Sequence, residues 1–156
     1  MPIIESVRSL PCLLALLLSA CGPAPPPAAK SAGDPTQEAW YGQAVRDLAR
    51  MSRDAETQLK NGKPDKAAEL ITAGEPIVNR VISVPQPTLA AMEAASDLDQ
   101  LYGQMLLSNG NYGWARLMFQ KNHARWKNWQ PQTPETARRL QLSNDAIAEC
   151  DRKMGQ

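Results

Sequence analysis

Two places in this 156-residue chain bring together residue types that do chemistry. The first is Cys21, a thiol that follows Leu18, Ser19 and Ala20 at the end of an apolar run, where small residues mark a cleavage site. The second lies between Tyr112 and Trp129. It holds three of the four tryptophans, the only Phe and the only His, with Arg116, Lys121, Arg125 and Lys127 and no acid among them. Read as a helix at 100° per residue, this segment turns Ala115, Phe119, Asn122, Trp126 and Trp129 inward. Arg116, Gln120, His123 and Lys127 form a separate stripe, and Trp114 stands outside both, near Lys121 and Arg125. A cationic surface flanked by aromatics suits an acidic peptide, a glycan or an anionic lipid headgroup, since Arg and Trp are frequent interface anchors. The candidate binding residues are therefore Trp114, Arg116, Gln120, Lys121, His123, Arg125 and Lys127. The competing reading is a core helix whose tryptophans fill space and whose cations are solvated or pair with Glu93, Asp97 and Asp99.

Catalytic and metal chemistry find little to work with. His123 is the sole histidine, so a multi-histidine metal site is excluded, and the three cysteines make no Cys-rich zinc or haem motif. There is no Gly-rich phosphate loop and no G-x-S-x-G elbow. Asp97 with Asp99, and Glu149 with Asp151, stand two apart on expected helices and face different ways, which does not suit shared acid–base work. No enzyme, no metal and no cofactor are expected; His123 acting alone as a base is the catalytic alternative. Cys150 lies at helical spacing with Ile147 and Met154, which fits a small buried residue, and a bridge to another chain is the alternative. A formal net charge of +1 argues against a nucleic-acid partner.

The elements that position these residues begin with the start of the chain. Arg8 is its only basic residue, and the apolar stretch from Leu10 to Leu18 is too short to span a bilayer, which needs roughly 20 apolar residues. Leu18-Ser19-Ala20-Cys21 resembles the lipobox of bacterial lipoproteins. That resemblance implies a signal peptide over residues 1–20, which removes Cys12, and acylation of Cys21 by palmitate-type chains through a diacylglyceryl thioether. Two or more acyl chains bind a bilayer stably, each buried CH₂ contributing about 0.8 kcal/mol. Gly22 stands where some enteric lipoproteins carry an Asp for inner-membrane retention, so the resemblance implies the outer membrane, facing the periplasm. Residues 21–33 join the acylated cysteine to the run GPAPPPAAKSAG. With no large apolar side chain it cannot fold, and it samples polyproline II geometry at about 3.1 Å per residue, as a tether does.

Residues 34–156 are long enough for one small domain with a core of its own. Asp34-Pro35-Thr36-Gln37 predicts a helix start, and Trp40, Ala44, Leu48, Met51, Ala55 and Leu59 lie on one face until Asn61-Gly62 ends it. A second helix from Pro64 carries Ala67, Leu70, Ile71, Gly74, Ile77, Val78 and Val81, with a kink expected at Pro76. After Val84-Pro85-Gln86-Pro87, a third helix carries Met92, Ala95, Leu98, Tyr102, Met105 and Leu106 up to Asn109-Gly110-Asn111. The fourth is the aromatic and basic segment, and the fifth, capped by Thr133, carries Leu140, Ile147 and Cys150. Sustained alternation of polar and apolar residues is absent, so strands are not expected.

Laid over each other at an offset of 48, the first two hairpins align Leu59 with Leu107, Gly62 with Gly110, Ala67 with Ala115, Ile71 with Phe119 and Val78 with Trp126. Gly103, Leu106, Gly110, Tyr112, Ala115 and Phe119 resemble the tetratricopeptide pattern, in which small residues let paired helices approach and Tyr and Phe fill the groove between units. The first hairpin keeps Ala55, Gly62, Ala67 and Ile71 of that pattern, with Pro64 in place of the tyrosine, and a period of 48 departs from the family's 34. The fold expected is all-α: antiparallel hairpins, tetratricopeptide-like or a small α-solenoid, or a generic helical bundle, with the fifth helix as a C-terminal cap. Small outer-membrane lipoproteins with such repeats include assembly factors and pilotins. The resemblance thus implies a membrane-anchored accessory module, its partners the lipid bilayer through Cys21 and an envelope protein. A glycan- or anion-binding envelope lipoprotein is the alternative.

Overall fold

Proline, glycine and capping hydroxyls punctuate the chain where its helices begin and end. A computed structural model describes residues 33–155; Cys21, the expected signal peptide and nearly all of the tether lie outside the described residues. The described residues form five helices with no strand: α1 (Ala39–Lys60), α2 (Pro64–Ile82), α3 (Leu89–Ser108), α4 (Tyr112–Asn128) and α5 (Pro134–Met154). None is long and apolar enough to cross a membrane.

The first helix starts later than its sequence predicts. Asp34 accepts from the Thr36 backbone N–H at 2.9 Å, but it caps a single 3-10 turn, Pro35–Gln37, and Glu38 is extended before α1 begins. That delay brings Tyr41 inward, where its hydroxyl accepts from the Thr88 backbone N–H at 3.0 Å and ties the start of α1 to the cap of α3. Thr88 in turn accepts from Ala91 N–H at 3.3 Å, a capping role that the apolar spacing of α3 does not reveal. At Pro76 the helix continues: α2 runs unbroken from Pro64 to Ile82.

The helices pack in chain order as antiparallel hairpins. α1 lies on α2 and α3, α2 also on α3, α3 on α4, and α4 on α5. The largest buried cluster sets Tyr41, Leu48 and Ala55 of α1 against Ile71, Val78 and Val81 of α2 and Ala94, Ala95 and Leu98 of α3. A smaller one joins Ala115 and Phe119 of α4 to Cys150 of α5, with Leu106 and Ile147 packed around them. Thus the fifth helix covers the outer hairpin, and Cys150 is a buried free thiol whose burial raises its pKa above the ordinary thiol value.

The two hairpin turns repeat their hydrogen bonds at the 48-residue offset. Gly62 N–H donates to Leu59 O at 3.0 Å and Gly110 N–H to Leu107 O at 3.1 Å; Lys63 N–H reaches Gln58 O at 2.9 Å and Asn111 N–H reaches Leu106 O at 2.8 Å. Both glycines hold a positive φ, +67° and +76°, which a side chain would strain. Gly103 serves a different purpose. A Cβ there would lie 2.5 Å from the Phe119 ring, so the lack of a side chain is what lets α3 and α4 close on each other.

Candidate functional site

Three faces of α4 meet three different environments, and together they sort the residues that could bind a partner. Inward, Ala115, Phe119, Asn122 and Trp126 are buried as expected, with Trp126 wholly enclosed and its indole N–H donating to Ser96 Oγ at 2.9 Å. Trp129 departs from the expected inward row. It is the residue just past the helix, extended and half-buried, and its carbonyl accepts from Gln132 Nε2 at 2.7 Å. The same amide donates to Trp126 O at 2.8 Å, satisfying carbonyls that the end of α4 leaves open.

Arg125 corrects the sequence reading most sharply. Expected on an exposed cationic surface beside Trp114, it is buried, and its guanidinium donates to Asp99 Oδ2 at 2.9 Å and to Asn122 Oδ1. Lys121 donates to the other Asp99 oxygen at 2.9 Å, while Asn122 Nδ2 donates to Ser96 O at 3.0 Å. A buried carboxylate is tolerable only when paired and hydrogen-bonded, and Asp99, 5% exposed in its side chain, has two cations on it. At the 48-residue offset, Ser96, Asp99, Lys121, Asn122 and Arg125 replace Leu48, Met51, Ala73, Gly74 and Ile77 of the first hairpin. An apolar seam in one hairpin has become a polar network in the next. Pairing of these cations with Asp99 agrees with the competing core-helix reading, and the chain signals the burial only through an acid at one apolar repeat position and a base at another.

The second stripe faces α5. Arg116 Nε donates to Asp151 Oδ1 at 2.6 Å, so this cation too is spoken for. Gln120 and His123 are half-buried and Lys127 is exposed. The structure therefore does not bring the seven candidates into one patch. They divide between the α5 side, the buried Asp99 network, and a third, outward face.

That outward face carries Trp114, 65% exposed, and Leu117, 48% exposed, one turn along. Leu117 is not among the residues that the sequence spacing singles out; its exposure beside Trp114 is seen only in the structure. Farther down the same side opens a hollow of about 380 Å³, with Lys121, Arg125 and Asn128 of α4 on one wall and Ile82, Pro87 and Met92 across from them. Trp129 also lines it. Arg139 of α5 sets its guanidinium 5.3 Å from the centre of the Trp126 ring and donates to Asp97 at 2.6 Å.

No group of three or more His, Cys, Asp or Glu side chains suited to a metal gathers among the described residues. Comparison of the chain with protein-family models, with curated proteins and with solved structures returned no match. The class supported is an all-α protein of packed antiparallel hairpins with a covering fifth helix.

Proposed function

We propose that this protein is an envelope lipoprotein, held on the membrane through acylated Cys21, whose helical hairpins bind another protein and assist its assembly or placement. The observation that carries the binding reading is the pair Trp114 and Leu117, large apolar side chains left in solvent on one face of an otherwise well-packed helix. Tryptophan at such a position is a typical anchor of protein interfaces, and neighbouring exposed apolar residues mark interaction surfaces more often than chance. The lipobox resemblance supplies the address and the proline-rich segment the reach. A tether raises the effective concentration of the domain toward a membrane partner without adding any contact.

In-cell crosslinking of the full-length chain, followed by mass spectrometry, tests this. One envelope protein should dominate the crosslinked products, and Trp114→Ala with Leu117→Ala should remove it while the thermal unfolding midpoint stays unchanged. Equal crosslinking by the double variant would overturn the reading. The hollow lined by Lys121, Arg125 and Trp129 favours the second reading, a glycan or anion ligand. That reading predicts retention on purified cell-wall sacculi with no protein co-purifying.

A further inference from the structure

We infer that the hollow beside Lys121 receives a carboxylate of the bound partner, so that the recognised segment is an amphipathic helix with an Asp or Glu about one to two turns from its apolar anchors. This rests on the reading of the outward face of α4 as a protein-binding surface. At 100° per residue, Trp114, Leu117, Lys121 and Asn128 fall on one side of α4, so the exposed apolar pair and the hollow form one continuous stripe. Seven residues separate Trp114 from Lys121, about 10 Å along the axis at 1.5 Å per residue. A partner helix laid along α4 meets both with side chains at i, i+3 or i+4, and i+7.

Charge selects what enters the hollow. Asp99 is a single negative charge shared by two cations, so the cluster keeps one positive charge in excess. Arg125, 4% exposed in its side chain, is consumed by Asp99 and Asn122 and supplies field rather than contact. Lys121 is different: 35% of its side chain is exposed, and Asp99 engages its ammonium at one position, leaving donors to spare. One monoanion balances the excess, and the apolar wall of Ile82, Pro87 and Met92 suits the methylene stem of Glu or a neighbouring apolar side chain.

The first hairpin shows the hollow without this feature. Ala44, Pro76, Ile77 and Arg80 line a comparable space of about 440 Å³, and they stand 48 positions before Met92, Ala124, Arg125 and Asn128. There the cation is already used, with the Arg80 guanidinium stacked 3.9 Å from the centre of the Trp40 ring. Of the two repeated hollows, the second alone combines an outward apolar pair with a partly exposed, under-compensated lysine.

The test places a photoreactive side chain at Leu117, and separately at Ala124, in the full-length chain in cells, and sequences the crosslinked peptides. Both positions should capture the same partner segment, with an acidic residue nearest Ala124 about one turn from the residue captured at Leu117. Lys121→Gln, and Gln in place of that partner acid, should each lower the Ala124 crosslink about tenfold, and the two together should be no worse than either alone. Independent, multiplying losses would overturn the pairing, as would a segment without an acid, a lipid or a glycan captured at Ala124. Protein captured at Leu117 but nothing at Ala124 overturns this inference alone. No protein at Leu117 overturns the binding reading beneath it as well.

Discussion

At the scale of single residues, Asp99 is where the second hairpin departs from the first. Its carboxylate holds Lys121 and Arg125 at positions that the preceding repeat fills with Ala73 and Ile77, and it occupies the place of Met51 itself. Removing one partner of a buried pair strands the other charge, so Asp99→Ala should cost about 3–5 kcal/mol in urea unfolding. The double change Asp99→Met with Arg125→Ile rebuilds the first hairpin's pair and should recover most of that loss or exceed wild type, because well-packed apolar residues often match a buried ion pair. If the double variant is as unstable as the single one, the network is doing more than satisfying its own charges. The chain places Lys121 and Arg125 near Trp114, outside the stripe of Arg116, Gln120, His123 and Lys127, and does not disclose that Arg125 and Asp99 are buried. A 100° projection sets Arg125 about 20° from Trp114, on the outward side, and it is the acid brought across by α3 that draws its guanidinium in.

At the scale of elements, close approach and capping decide where the helices sit. Gly74→Ala and Gly103→Ala make the same chemical change in helix interiors, where alanine is intrinsically better by about 1 kcal/mol. Each new Cβ would lie 2.5 Å from a neighbour, but at Gly74 the neighbour is the tip of Leu98 and at Gly103 it is the face of the Phe119 ring. Leu98 can change rotamer, whereas the ring must carry α4 with it. Gly103→Ala should therefore destabilise by about 1–3 kcal/mol and Gly74→Ala by clearly less, measured by thermal or urea unfolding. At the start of α5, Thr133 and Thr136 exchange side-chain and backbone hydrogen bonds at 2.8 and 3.2 Å, the cap expected from Thr133-Pro134-Glu135. Glu135 in that first turn is held at a pKa of about 2 by hydrogen bonds from Arg138 and then Arg139, against an ordinary 4.5. The lowered value means its contribution is present above about pH 4.5 and is lost as pH falls toward 2. Glu135→Gln should flatten that part of the acid melting profile; its partial exposure and salt screening keep the effect small.

At the scale of the whole molecule, the proposed role divides into an address at one end and a meeting surface at the other. Cys21→Ser should move the protein from the membrane fraction to the soluble fraction, and unchanged membrane retention would remove the lipoprotein reading. Several parts of the fold were legible in the chain because they are local. A Gly that tolerates positive φ, a Thr that accepts from an open backbone N–H, and apolar residues three and four apart act within a few residues of themselves, so α2, α3, α5 and both Asn-Gly turns could be read directly. α1 starts later than Asp34-Pro35 predicts because Glu38 stays extended and Tyr41, four residues past Gln37, is drawn in by Thr88 from another hairpin. Likewise Trp114, Trp126 and Trp129 are the same residue type within sixteen positions, yet one is in solvent, one is sealed in the core and one borders a hollow. By itself the sequence determined that helices form, where most of them stop, and that a cationic, tryptophan-rich helix exists. Which of its cations are consumed, and which one is left facing an opening, was decided only by tertiary structure, because a charge is neutralised by whatever the neighbouring helix places against it.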